Sequence, residues 1–137
     1  MATKVLDSWT LIAFFEDEPA ADDVEKLLQQ SADGRHKLLL SVVNWGEIYY
    51  NTMREVSQEA AEQKAREIAS LPIDLVGVGD DLALVRQAAI FKATHKMSYA
   101  DCFAAALAKL RNAELVTGDP EFKEIEKEIR IAWLKTN

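Results

Sequence analysis

Cysteine and histidine are nearly absent from this sequence. The single cysteine, Cys102, cannot form a disulfide within the chain and lies in an apolar stretch, so a reducing cytoplasm is the expected location. The two histidines, His36 and His95, stand apart in polar surroundings, and we predict both at the surface. No spacing of cysteines and histidines typical of a zinc site occurs, which excludes zinc-binding modules of that kind.

Long hydrophobic runs and glycine-rich loops are also missing. No apolar stretch approaches the length of a membrane span, so no membrane association is expected. Residues 1–3 lead directly into the first predicted strand, so no signal peptide is expected. The glycines around Val78 lack the third glycine of a dinucleotide-binding loop, because position 82 is leucine. With 137 residues, 49% of them apolar, and no repeat or linker, the sequence predicts a single domain over residues 1–137.

Positive charge is in deficit, with 16 lysines and arginines against 23 acidic residues and a net charge of −7. An acidic domain is not attracted to nucleic acid by its overall charge. Any role on a nucleic acid therefore requires a local basic rim, a bound cation, or both.

What the chain does contain is a regular alternation of short apolar strands and helices. Five strands are predicted, at residues 4–8, 37–41, 72–78, 114–117 and 129–133. Helices are predicted at residues 9–15 and 42–54, around residues 22–28, and from residues 57, 79 and 98 onward, with a short helix after residue 119. The helix from residue 79 carries the apolar residues Leu82, Val85, Ala89 and Ala93. This alternation predicts a three-layer α/β/α fold around a central parallel five-stranded sheet.

Acidic residues recur where this fold would place a ligand. Parallel sheets of this class bind ligands beyond the carboxyl ends of their strands. Asp7 ends the first strand, and Asp119 follows the fourth. Glu47 and Asp101 lie in the first turns of helices that should start on the same edge.

Each of these acids also has a structural interpretation. Asp7 and Asp119 can be N-caps, since each precedes a helix whose first N–H groups need acceptors. Asp101 stands three residues after Ser98, which resembles a capping box. Glu47 points out of an apolar helix face without a lysine or arginine at helical spacing, so it either reaches solvent or binds something positive.

Capping does not explain why four acids should meet at one edge. Two unit charges about 4 Å apart repel each other by roughly 1 to 4 kcal/mol, depending on the local dielectric. A hard divalent cation removes that cost, and sites made only of oxygen ligands favour Mg²⁺ or Mn²⁺. Carboxylate-bound metal ions typically serve phosphate chemistry.

Four motifs in order resemble those of the PIN-domain family, and in particular of VapC-type toxin ribonucleases. They are residues 5–8, with the first acid, Asp7; residues 42–48, with the second; residues 99–106, with the third; and residues 117–122, a Thr-x-Asp-x-x-Phe motif. The resemblance covers nearly the whole chain. Two positions depart from the family pattern, because Ser8 replaces a common threonine and Gly46 replaces a larger residue.

The resemblance implies cleavage of RNA phosphodiester bonds by a Mg²⁺- or Mn²⁺-dependent endoribonuclease. Asp7, Glu47 and Asp101 would ligate the metal directly or through water, and Asp119 would complete the site or hold a second ion. The supporting residues would be Ser8, Asn44 and Thr117. A weaker expectation is that Lys92, Lys96 and Lys123 form a rim that contacts phosphate. The resemblance also implies a cognate antitoxin protein and a homodimer, in keeping with the many large apolar residues at positions 9–15 and 24–28.

Three other functions are alternatives to this one. A phosphatase of the haloacid-dehalogenase type needs a second aspartate two residues after Asp7, where the chain has Trp9. A nucleotide-binding module lacks its phosphate loop, as described above. A PIN-like domain that binds metal or protein without nuclease activity would share every acid and stays open.

Overall fold

The computed structural model describes residues 2–136, which form one five-stranded sheet with helices on both of its faces. The strands are β1 (Ala2–Leu6), β2 (His36–Ser41), β3 (Asp74–Val76), β4 (Glu114–Thr117) and β5 (Ile131–Trp133). Their order across the sheet is β3-β2-β1-β4-β5, and every neighbouring pair is parallel. The predicted parallel sheet of five strands is confirmed, with β5 at one edge.

Within the described residues, six helices connect the strands. They are α1 (Ser8–Phe15), α2 (Ala21–Ala32), α3 (Val42–Glu55), α4 (Gln58–Ala69), α5 (Ala83–Thr94) and α6 (Tyr99–Leu110), and a 3₁₀ helix (Pro120–Ile125) follows β4. No helix within residues 2–136 is long and apolar enough to span a membrane.

Successive residues of the inner strands point to opposite faces of the sheet, so each strand contributes to two cores. In β2, Leu39 packs with residues of α5 and α6, whereas Leu38 and Leu40 pack with residues of the other four helices. All three leucines are buried, which explains why the strand has no polar alternation. The three-layer α/β/α prediction is confirmed.

Strand β1 lies at the centre of the sheet, and its end is the point around which the site is built. Leu6 pairs with Leu40 of β2 on one side and with Val116 of β4 on the other. The chain crosses from one side of β1 to the other between β3 and β4, so the strand order reverses here. Open α/β sheets bind their ligands at such a point.

The start predicted for α5 was wrong. The helix begins at Ala83, because Leu82 takes a left-handed conformation with φ of 63° and is exposed. Its buried residues are Leu84, Ala88 and Phe91, whereas Ala89 is exposed. Apolar residues stand on more than one side of this helix, so the spacing alone did not identify the side that the large Phe91 ring would bury.

The prediction of a surface position was also wrong for His36. This side chain is only 8% exposed, and its Nε2 lies 3.3 Å from the carbonyl oxygen of Leu27 in α2. His95 is partly exposed, with its Nε2 2.6 Å from Glu128 Oε2. The polar sequence around His36 did not reveal that α2 packs over the start of β2.

Candidate metal centre

Asp7 lies at the carboxyl end of β1 and is fully buried. Its Oδ1 accepts a hydrogen bond of 2.9 Å from the backbone N–H of Thr10, so the predicted N-cap of α1 is confirmed. Its Oδ2 accepts a hydrogen bond of 2.6 Å from the Thr117 hydroxyl. Burial raises the pKa of Asp7 to about 6, although both hydrogen bonds act in the opposite direction. The carboxylate therefore caps a helix and is held in a fixed orientation at the end of the central strand.

Asp101 lies in the first turn of α6 and is 6% exposed. Only half of the predicted capping box forms. The Ser98 hydroxyl accepts the Asp101 N–H at 3.2 Å, but the return bond from the Ser98 N–H goes to Glu121 Oε1 at 2.8 Å. Glu121 thus takes the acceptor role that the sequence suggested for Asp101, and the Asp101 carboxylate is left available for another partner.

Other carboxylates surround Asp101. The pKa of Asp101 is raised to about 8, chiefly by burial and then by the negative charges of four neighbouring acids, in the order Asp119, Glu121, Asp7 and Glu47. Since electrostatic repulsion of this kind falls with distance, all four acids lie near Asp101. We call these five residues the acid cluster: Asp7, Glu47, Asp101, Asp119 and Glu121.

The tightest part of the acid cluster is formed by Asp101, Asp119 and Glu121. Each contributes a carboxylate oxygen, and these oxygens all lie within 4.8 Å of one another. Asp119 caps the 3₁₀ helix by accepting the Glu121 N–H at 2.9 Å, as predicted, and its own N–H donates to Thr117 Oγ1 at 3.0 Å. Sequence reasoning missed Glu121, although it stands only two residues after an acid that was already proposed.

Glu47 reaches the acid cluster from α3. It is half-buried, and its Oε1 accepts a hydrogen bond from the hydroxyl of Ser8. Ser8 directly follows Asp7, so this bond draws the helix toward the end of β1. Of the two interpretations left open for Glu47, its position among other acids favours binding something positive.

Asn44 connects the two helices that carry Glu47 and Asp101. It is fully buried, and its Nδ2 donates to the carbonyl oxygen of Ala100 at 3.1 Å. Its Oδ1 is buried without a hydrogen-bond partner in the part of the chain that the structure describes. The proposed supporting residues Ser8, Asn44 and Thr117 therefore all touch an acid of the cluster or the backbone beside one.

The lysines of the predicted rim differ from one another. Lys92 donates to the carbonyl oxygen of Met97 at 2.7 Å, which ties the end of α5 to the turn before α6. Lys96 and Lys123 are exposed. A phosphate-contacting role stays a prediction for all three.

The donor set of the acid cluster fits a hard divalent cation. Within residues 2–136, the ion pairs join other acids to lysines or to His95, and none includes a member of the cluster. Five carboxylates without a cationic side chain are an all-oxygen site, which Mg²⁺ and Mn²⁺ prefer and softer metals do not. A bound cation would also lower the raised pKa of Asp101 by the attraction of opposite charge.

Solved structures with the same fold include toxin–antitoxin complexes and a single toxin. VapBC2 from Rickettsia felis, bound to a DNA fragment from its promoter, matches with a TM-score of 0.74 and 17% identity over 97% of this chain and 99% of that one. DNA-bound VapBC from Salmonella typhimurium matches with a TM-score of 0.71 and 20% identity over 96% and 98% of the two chains. VapC20 from Mycobacterium tuberculosis, a toxin that cleaves the sarcin–ricin loop, matches with a TM-score of 0.60 and 16% identity over 83% and 87%.

Comparison of the sequence with curated proteins gives no match. The model of the PIN domain family, in contrast, matches residues 4–128, a span that begins within β1 and includes every member of the acid cluster. Together with the strand order and the position of the acids at the end of β1, this match identifies the chain as a member of the PIN domain family.

Proposed function

We propose that this protein is a Mg²⁺- or Mn²⁺-dependent endoribonuclease and the toxin of a type II toxin–antitoxin pair. The observation that carries the proposal is the acid cluster: Asp101, Asp119 and Glu121 offer oxygens within 4.8 Å of one another, Asp7 and Glu47 raise the pKa of Asp101, and no ion pair within residues 2–136 includes a member of the cluster. Such an arrangement is unfavourable unless a cation joins it. Catalytic centres are also the places where several groups with raised pKa values are held together.

Asp7, Glu47 and Asp101 would hold the metal, with Asp119 completing the site or holding a second ion, and the position of Glu121 adds it to the set. The metal, when bound, supplies the polarisation of the phosphate and the activation of water. The chain itself supplies orientation. The Thr117 hydroxyl and the Thr10 N–H fix both oxygens of Asp7, and the Ser8 hydroxyl fixes one oxygen of Glu47.

The test is RNA cleavage by the purified protein. We expect a mixed-sequence oligoribonucleotide to be cut internally when Mg²⁺ or Mn²⁺ is added, and to stay intact with chelator. The products should be sized on a denaturing gel to show that cleavage is internal. Intact RNA under all metal conditions, with metal binding still measurable by calorimetry, would favour the alternative function, a PIN-like module that binds metal or protein without nuclease activity.

An antitoxin partner, a homodimer and a cytoplasmic location complete the proposal. Support for the antitoxin comes from the solved relatives, which are VapBC complexes.

The dimer rests on the family resemblance, because the apolar residues at positions 9–15 and 24–28 that first suggested it pack mainly on the chain's own core. Sedimentation at micromolar concentration should show a dimer, and monomer alone would contradict it. A small antitoxin gene adjacent to this one would support the pairing.

A further inference from the structure

A groove lies directly beside the acid cluster. It has a volume of about 390 Å³, and its lining includes both chain neighbours of Asp119, which are Gly118 and Pro120. Trp9, two residues after Asp7, lines it as well. The volume lies within the range of about 300–1,000 Å³ that is typical of small-ligand sites. A molecule in this groove would therefore lie against the backbone on either side of Asp119.

The indole of Trp9 is held in place by Gly118. A Cβ added at Gly118 would lie 2.6 Å from Trp9 Cζ3 and 2.8 Å from Cζ2, so the ring rests against the bare backbone of the residue before Asp119. Trp9 is only partly buried, and part of its surface faces the groove. An aromatic ring that is fixed in this way and partly open is a preformed surface on which a flat ligand can stack.

The charged residues of the groove are one acid, Glu18, and one base, Lys135. A lysine attracts a phosphate. A carboxylate accepts hydrogen bonds from the N–H groups on the edge of a base. Guanine fits best, because it presents two N–H donors side by side to the two carboxylate oxygens.

We propose that this groove binds an unpaired nucleobase of the RNA, preferably guanine, next to the phosphate held at the acid cluster. Trp9 stacks on the base, Glu18 accepts from its N–H edge, and Lys135 contacts the adjoining phosphate. The inference rests on the proposed ribonuclease function and adds to it a preference for single-stranded RNA with a guanine beside the cleaved bond.

Binding can be tested without any cleavage. Nucleoside 5′-monophosphates should be titrated into ¹⁵N-labelled protein with Mg²⁺ present, following the indole N–H signal of Trp9, assigned by its loss in Trp9→Phe. We expect a saturable shift that is strongest for guanosine monophosphate. Glu18→Gln should remove the preference for guanine, whereas the control Glu16→Gln, an exposed residue outside the groove lining, should retain it. A Trp9 signal unmoved by all four nucleotides at millimolar concentration would overturn the inference.

Cleavage kinetics separate this inference from the proposed function. In a short oligoribonucleotide, Trp9→Leu should raise KM by at least about fivefold, the low end of what stacking of one base on an aromatic ring contributes, with a smaller change in kcat. Trp133→Phe, which changes an exposed tryptophan outside the groove lining, should leave KM unchanged.

RNA cleavage with normal KM in Trp9→Leu would overturn the inference alone. Nucleotide binding at Trp9 without cleavage of any RNA would overturn the ribonuclease proposal alone. A Trp9 signal that responds to an antitoxin protein and to no nucleotide would mean a protein-binding groove and would also overturn the inference.

Discussion

Acidic residues have lysine partners at the amino end of the sheet but not in the acid cluster at its carboxyl end, as far as residues 2–136 show. At the amino end, Lys4 Nζ lies 2.7 Å from Glu114 Oε1, and Lys37 Nζ lies 3.5 Å from Asp74 Oδ2. At the carboxyl end, the five carboxylates of the acid cluster have no such partner within residues 2–136. Lysines thus neutralise acids at the amino end of the sheet, away from the candidate metal centre.

This difference is the one that the proposed metal site requires, since the described residues supply no cation paired with the acid cluster. If the acids served only as helix caps, nothing would keep lysines away from them, since a nearby lysine would relieve their repulsion. Asp101 is the most informative of them, because its capping role has passed to Glu121. The predictions below use substitutions at the two ends to test the comparison.

The largest expected effect is on RNA cleavage. Asp101→Asn removes one negative charge from the acid cluster and keeps the side-chain shape. We expect it to lower the cleavage rate by more than about 100-fold, since even groups that merely support metal ligands contribute about 10- to 100-fold. The matched control at the other end, Glu114→Gln, should cleave at the rate of the wild type. Equal losses in both variants would mean that the effect reflects folding.

The second effect is on thermal stability. In chelator, Asp101→Asn should be as stable as the wild type or more stable, because it relieves repulsion in the cluster. Added Mn²⁺ should stabilise the wild type by about 2.7 kcal/mol at 100 times its Kd, and the variant much less. Melting curves followed by circular dichroism would measure both. A variant that melts lower in chelator and responds fully to Mn²⁺ would show that Asp101 is a cap rather than a ligand.

The pH dependence of stability should reveal the same repulsion. The pKa of Asp101 is raised from 3.8 to about 8, so the folded protein binds the proton more tightly than the unfolded chain. The metal-free wild type therefore loses stability as the pH rises through this window. Asp101→Asn lacks this loss, so its melting temperature relative to the wild type should rise with pH and level off above about 8. A constant difference across the window would contradict the raised pKa.

Glu121 should matter less than Asp101. Its Oε1 already accepts the Ser98 N–H, so only part of its carboxylate faces the acid cluster. We expect Glu121→Gln to weaken the affinity for Mn²⁺ by about tenfold, at the level of a supporting group. Calorimetric titration would measure this, with Glu126→Gln, an exposed position after the same 3₁₀ helix, as the control. Unchanged affinity would remove Glu121 from the metal site.

The smallest effect belongs to the amino end. Lys4→Met breaks the ion pair between Lys4 and Glu114. Their side chains are 22% and 32% exposed, respectively. A partly exposed pair of this kind contributes about 0 to 1 kcal/mol, so the free energy of unfolding should fall by no more than that, and less at high salt. Denaturant unfolding at two salt concentrations would measure it, and cleavage should not change. A loss of cleavage would mean that the two ends are not independent.

Much of the fold and part of the candidate site could be predicted from the sequence, because the informative patterns are local. Buried strands such as β2 are continuous apolar runs, and the caps at Asp7 and Asp119 stand directly before their helices. What could not be predicted depends on contacts between distant segments. The Ser98 N–H donates to Glu121, which is 23 residues away, and not to Asp101, which is three residues away. Rules based on sequence spacing do not predict this partner.

The position of β1 at the centre of the sheet has a consequence for how the protein is made. The acid cluster is gathered from both ends of the chain, and the hydrogen bond from Thr117 to Asp7 joins residues 110 positions apart. A ribosome must therefore synthesise the chain beyond residue 121 before the site can close, and pairing of β1 with β4 is a slow, non-local step. If the protein is a ribonuclease toxin, a growing chain that has not reached residue 121 lacks part of the acid cluster and is harmless to the RNAs that surround it.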